Sequence, residues 1–182
     1  MRPVTNVIVV VLLLLLAPAA LRGEVVKKDG DSFAISIDVV LPDTPEAVYD
    51  ATTGDISGWW DHHFSEKPVK FYIEPKPSGG FYEIFDESGD GVLHGTVTWA
   101  QRGKSLRIVG PLGLAGNAVT GVWTLTYAPE GEDGAKTKLT LDGRMSGALE
   151  EGWAEIVDSV WKHFLVEQLK PYIEQGKHRK KP

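Results

Sequence analysis

Apolar and polar residues alternate strictly along "FAISIDVVL", which sets Phe33, Ile35, Ile37, Val39 and Leu41 on one face of an extended segment. A period of two predicts a half-buried strand. In "PDTPEAVYDATT" that period is lost; Thr44 can cap a helix, Pro45 suits its first position, Glu46 complements its N-terminal dipole and Gly54 stops it, so a short helix is expected. Beyond Pro68 the strand pattern returns in six runs, "VKFYIE", "FYEIFDE", "GVLHGTVTWAQ", "SLRIVG", "AVTGVWTLTYAP" and "AKTKLTLDGRM". Turn-rich separators such as "PKPSGG", "ESGD", "RGK" and "EGEDG" suit antiparallel hairpins.

From Glu150 to Gln175 the period changes again. Trp153, Ile156, Val157, Val160, Trp161, Phe164, Leu165, Leu169, Tyr172 and Ile173 recur at spacings of three and four, which predicts one long amphipathic helix. Pro171 removes a backbone donor inside it, so a kink or an early end is expected near Lys170, with Gly176 available as a cap. A meander of strands with one apolar face needs a cover, and this helix is the element large enough to provide it. The fold class expected is therefore α+β: a curved antiparallel sheet wrapped around a long C-terminal helix, over residues 33–175. Residues 20–32 read as an N-terminal extension and 176–182 as a basic C-terminal tail. A curved sheet and a straight rod do not fill space together, so a cavity between them is expected.

Composition narrows the setting. Arg2, the apolar run Val7 to Leu16 and the small residues Ala17, Pro18 and Ala19 read as a signal peptide over residues 1–19, which places the protein in the periplasm or outside the cell. The apolar core is shorter than the roughly 20 residues of a spanning helix, which favours cleavage over an anchor. With no cysteine in the chain, disulfides, thiol nucleophiles and cysteine metal sites are excluded. A net charge of −6 makes duplex nucleic acid a poor partner. The cluster "KHRKK", Lys177 to Lys181, reads as a solvated, frayed tail or as a contact for anionic lipid head groups.

The element order, together with "TPEAVYDATTGDISGWW", "GGFYEIF", "GTVTWAQRGKSLRIVGPL", "VWTLTYAPEG" and the closing "VWKHFLVEQLKPYIE", resembles the START-like or SRPBCC superfamily, and within it the branch related to activators of the heat-shock chaperone ATPase. The resemblance spans about Phe33 to Ile173 and implies a helix-grip fold with a deep apolar cavity for lipids, sterols, polyketides or other hydrophobic small molecules. Some members are cyclases or related enzymes. It also implies that Trp59 and Trp60 belong to the rim of that cavity.

The remaining chemistry is sparse. In "WWDHHFSE" adjacent His62 and His63 point in different directions on any regular backbone; His63 could share a helical face with Glu66, but a third ligand, from His94 or His163, is not placed nearby by any pattern, and no metal is expected. Glu83 shares a strand face with Phe81 and Phe85, so an inward orientation would bury a carboxyl, raise its pKa and make it a weak candidate for a general acid; alternation leaves inward and outward both open. By the same parity His94 lies outside the cavity with Thr96 and Thr98, and Trp99 inside. "GPLGLAG" lacks a following helix to cradle a phosphate and reads as a mobile loop at the cavity mouth. Ligand contacts are assigned to Trp59, Trp60, Phe85, Trp99, Trp123, Leu125, Tyr127, Leu141, Val157, Trp161 and Phe164. The function expected is binding of a small hydrophobic molecule, lipid-like or polyketide-like, without a cofactor. The alternatives are a cyclase, dehydratase or hydrolase in the same cavity, and a chaperone ATPase activator, against which the signal peptide argues.

Overall fold

The computed structural model describes residues 23–131 and 133–180, so the expected signal segment lies outside the described residues. Among the described residues, nine strands form one antiparallel sheet: β1 (Gly23–Asp29), β2 (Ser32–Leu41), β3 (Gly54–Asp55), β4 (Lys70–Ile73), β5 (Gly80–Ile84), β6 (Gly91–Gln101), β7 (Ser105–Val109), β8 (Val119–Glu130) and β9 (Lys136–Gly147). Their order across the sheet is β1-β2-β9-β8-β7-β6-β5-β4-β3. The six expected runs are β4 to β9, each hairpinned to the next. The supposed extension is instead partly β1, an edge strand paired with β2 from Gly23 opposite Ile37 to Asp29 opposite Ser32.

The short helix α1 (Pro45–Ala51) begins as its sequence predicts, with Thr44 Oγ1 accepting from the Ala47 N–H at 3.4 Å. The C-terminal helix runs from Trp153 through Glu174 as α2 (Trp153–Lys162), a π-helical stretch (His163–Leu169) and α3 (Lys170–Glu174). It therefore passes Pro171 without ending. The irregularity lies one turn earlier, where the Lys170 N–H reaches the Leu165 carbonyl five residues back; a wider turn ahead of a proline relieves the clash that its ring makes with a regular α-turn. Gly176, at φ +65°, closes the helix with its N–H on the Ile173 carbonyl at 2.8 Å.

The core lies between the concave sheet face and this helix. Phe33, Ile35, Ile37, Val39 and Leu41 are all buried, as their alternation predicts, with Leu139, Leu141, Phe164, Leu165, Leu169 and Ile173. Two irregularities in β6 change what reaches that core. Phe81 pairs with Gly95 but Tyr82 with Leu93, which leaves His94 as an extra residue; Val97 pairs with Ile108 but Trp99 with Arg107, which leaves Thr98 as another. Each such bulge bends the strand and switches the faces of the residues beyond it.

The basic tail is not frayed over its described part. Residues Lys177–Lys180 form a short 3₁₀ turn in which buried His178 Nε2 lies 2.8 Å from Asp43 Oδ2, and Arg179 donates to the same oxygen from Nη2 at 2.8 Å and Nε at 3.2 Å.

Candidate functional site

Asp55 opens the segment after β3 by accepting from the Ser57 N–H at 2.9 Å and hydroxyl at 2.7 Å, a local turn that competes with strand extension. A single helical turn comes next, closed by the Trp60 N–H on the Ile56 carbonyl at 3.0 Å. This turn drives both tryptophans inward: Trp59 is 6% and Trp60 8% exposed, so they belong to the core beside the cavity. The Trp59 indole N–H donates to the Ala51 carbonyl at 3.0 Å and that of Trp60 to the His62 carbonyl at 2.9 Å, which satisfies the polar edge that burial would otherwise leave unpaired. Trp60 stacks on Phe164 at 3.8 Å between ring centroids and meets Phe81 and Trp161 edge-on at 5.4 and 5.8 Å.

Above this cluster the grip does not close. A pocket of about 230 Å³ is bounded by Trp60, Phe71 and Phe81 on one side, by Trp123 and Met145 from the sheet, by Val157, Val160, Trp161 and Phe164 from the helix, and by the turn Pro111 to Leu114. The helix stripe explains why. In α2 the apolar residues Trp153, Val157 and Val160 are only half-buried and Ile156 is 58% exposed, whereas Leu165, Leu169 and Ile173 further along are sealed. The loop "GPLGLAG" does reach the pocket as expected, through a 3₁₀ turn (Leu112–Leu114). Leu112 there holds φ +52°, a left-handed conformation that branched or bulky side chains rarely adopt.

Of the residues assigned to ligand contact, the structure brings Trp60, Trp123, Val157, Trp161 and Phe164 to this pocket. Trp59 and Leu125 line an adjoining void of about 20 Å³. Tyr127 and Leu141 are buried away from it, and the Tyr127 hydroxyl shares a 2.6 Å hydrogen bond with Thr52 Oγ1. Two of the assigned residues, Phe85 and Trp99, lie outside the pocket. Phe85 lies beyond the end of β5 in the turn toward Asp90 and is half-buried outside the pocket wall. Trp99 is 52% exposed, because the bulge at Thr98 turns it outward.

His94 departs from its strand parity in the opposite sense. The bulge that makes it an extra residue carries it inside, where it is buried and lines the pocket. Its Nε2 lies 3.1 Å from Glu83 Oε2. Glu83 does point inward and is wholly buried, but it has partners that the strand pattern does not reveal: the Phe64 N–H donates to its oxygens at 2.8 and 3.0 Å, and the Ser65 N–H at 2.8 Å. Burial alone would push this carboxyl up; the N–H groups of Ser65 and Phe64, with the His94 imidazole, outweigh it and hold Glu83 below the usual range. The expectation of a raised pKa and a general-acid role is thereby reversed. Glu83 is an ionised acceptor that ties residues 64–65 to the sheet and fixes His94 at the wall of an otherwise apolar pocket.

Among the described residues, His62 is the other titratable group of that wall. It lies beside Asp61, with Nδ1 2.8 Å from Oδ1, and the helix brings His163 Nε2 to 2.8 Å from Asp61 Oδ2. His63, for which the sequence allowed a shared helical face with Glu66, packs edge-on against Phe71 at 5.9 Å.

No protein-family model and no curated protein matches the sequence. Solved structures of similar fold include protein CV1439 from Chromobacterium violaceum, 20% identical over 78% of this chain and 96% of that one with a TM-score of 0.53. CalU16 from Micromonospora echinospora is 19% identical over 85% of this chain and 81% of its own, with a TM-score of 0.54. The Aha1 dimer from Colwellia psychrerythraea is 18% identical over 79% and 98%, with a TM-score of 0.52. These similarities establish the fold, an α+β helix-grip in which an antiparallel sheet holds the C-terminal helix.

Proposed function

We propose that this chain is an exported helix-grip protein that binds a small apolar molecule between α2 and the sheet. The observation that carries the reading is the half-covered apolar stripe of α2 over a pocket whose titratable wall residues, among those described, are His62 and His94. Such walls, apolar with few polar groups, are what ligand pockets show generally. The volume, about 230 Å³, is below the roughly 300–1,000 Å³ typical of drug-sized ligands, so the occupant is compact or inserts only part of itself. Burial of apolar surface at about 25 cal/mol per Å² supplies most of the affinity, and His94, held by Glu83, supplies one oriented polar contact. The reading of export rests on the sequence of residues 1–19.

Native mass spectrometry of the mature protein, followed by denaturing release, tests this. A co-purifying hydrophobic molecule is expected, and its loss in Val157→Phe, which fills the pocket from a half-buried position, with the melting temperature preserved. Retention of the same molecule by a folded Val157→Phe protein would place binding elsewhere.

A second reading, an enzyme of the cyclase, dehydratase or hydrolase type, is favoured by one observation: the buried pair His94 and Glu83 at the pocket wall, an imidazole oriented by a carboxylate. His94 is then the group that exchanges a proton with substrate and Glu83 its positioning residue. Under this reading His94→Gln abolishes turnover of the released molecule while sparing its binding; full turnover in that variant would dismiss it. Kinship with chaperone ATPase activators rests on the sequence resemblance and on fold similarity to the Aha1 dimer, and the expected export argues against a cytosolic client.

A further inference from the structure

We propose that Asp61, His62 and His163 form a binding site for a divalent transition-metal ion of the zinc class. Asp61 and His62 come directly after the helical turn that buries Trp60, and His163 opens the π-helical stretch, 102 positions from Asp61. One donor atom from each lies within 4.8 Å of the others. Two imidazole nitrogens and a carboxylate are donors that zinc and its neighbours favour, at about 2.0–2.2 Å from the ion. A tetrahedral ion at such distances spaces its donors roughly 3.3–3.6 Å apart. The observed separations run from 2.8 Å for each histidine–carboxylate contact to no more than 4.8 Å, so shifts on the order of an ångström assemble the site.

A second feature points the same way. His163 Nδ1 lies 2.9 Å from Glu167 Oε2, on the side of the ring away from Asp61. A carboxylate that accepts the Nδ1–H fixes the tautomer and leaves the Nε2 lone pair directed at the other two donors, the arrangement usual behind a metal-bound histidine. Gln168 Nε2 donates to Asp61 Oδ2 at 3.0 Å and orients that carboxylate. The Trp60 indole on the His62 carbonyl fixes the backbone that carries His62, and the His62 ring rests edge-on against Phe164 at 4.9 Å. Asp61 and His62 are both exposed, so three protein ligands would leave coordination positions open to solvent, beside the pocket that His62 lines. Sequence spacing cannot show this site, because its third ligand comes from the opposite end of the chain.

The test is calorimetric titration of the untagged, chelator-treated chain with Zn²⁺ near neutral pH, with Mg²⁺ as the comparison ion. One Zn²⁺ per chain is expected, with no comparable Mg²⁺ binding. His62→Ala and His163→Ala should each weaken it at least about tenfold, and Glu167→Gln by about 10- to 100-fold, the range for residues behind a metal ligand. His63→Ala should leave it unchanged. Circular dichroism of the metal-free variants checks that they fold, and Co²⁺ absorption, present in the wild type and lost in His163→Ala, gives a reading independent of heat. Absence of saturable Zn²⁺ binding, binding that survives in folded His163→Ala, or equal loss in His63→Ala would overturn the proposal and leave the three residues as a charged clamp between segment and helix.

Discussion

Glu83 shows how far a single residue's role depends on what meets it. Its neighbours in sequence are aromatic and its side chain is wholly buried, conditions that on their own raise a carboxyl pKa, yet three hydrogen bonds from two backbone N–H groups and the contact with His94 keep it ionised. Those N–H groups belong to residues 64 and 65, in a segment without regular structure, so no strand or helix ladder pairs them and the Glu83 carboxylate takes that place. Glu83→Gln preserves volume but turns one acceptor into a donor facing donors. With each unsatisfied buried group costing about 1–3 kcal/mol, the substitution is expected to destabilise the protein by about 2–4 kcal/mol in urea unfolding. A loss below about 0.5 kcal/mol, the scale of an ordinary surface substitution, would show that residues 64–65 do not depend on this carboxylate.

At the scale of elements, periodicity was readable wherever an element stayed regular. The alternation of β2, the caps of α1 and the three-four spacing of the C-terminal helix arise from geometry that each residue shares with its neighbours, and the structure reproduces them. In β6 the pattern misleads, because a bulge adds one residue and so reverses the inward and outward faces, which is how His94 enters the pocket and Trp99 leaves it. No alternation marks the bulge in advance; Gly95 beside His94 is the local trace of it. A Cβ at Gly95 would lie 2.7 Å from Ile108 Cγ2 and 3.1 Å from the Val109 carbonyl oxygen on β7, so the two strands approach there more closely than a side chain allows. Gly95→Ala is expected to cost about 1–3 kcal/mol through overpacking and to displace His94 from the pocket wall. Urea unfolding measures the first effect and the imidazole chemical shifts of His94 the second; wild-type values for both would mean that the bulge is loosely packed. The metal-ligand cluster and the partners of Glu83 escaped for a related reason, since they join segments that only the tertiary fold brings together.

Over the whole molecule, carboxylates tie distant parts of the chain. Asp43 at the entry to α1 holds His178 and Arg179 of the C-terminal turn, and Glu83 holds the 64–65 segment on the sheet. Burial would raise the Asp43 carboxyl, but the hydrogen bonds from Arg179, His178 and the Thr44 N–H outweigh it and set it below its ordinary value of 3.8, as their counterparts set Glu83 below 4.5. A carboxyl whose pKa is lower in the folded state binds fewer protons there than in the unfolded chain, so stability rises with pH across this range. The contribution of both groups is complete above the unfolded values, 3.8 and 4.5, and is lost as pH falls through the lower folded ones. Through these two groups, urea midpoints are therefore expected to drop as pH falls below about 4.5. Asp43→Asn combined with Glu83→Gln should unfold more easily at neutral pH and lose part of that acid sensitivity, because neither amide titrates. If the double variant and the wild type fell in parallel between about pH 5.5 and 3, other carboxylates would carry the acid response, and the ties at Asp43 and Glu83 would be matters of packing and not of charge.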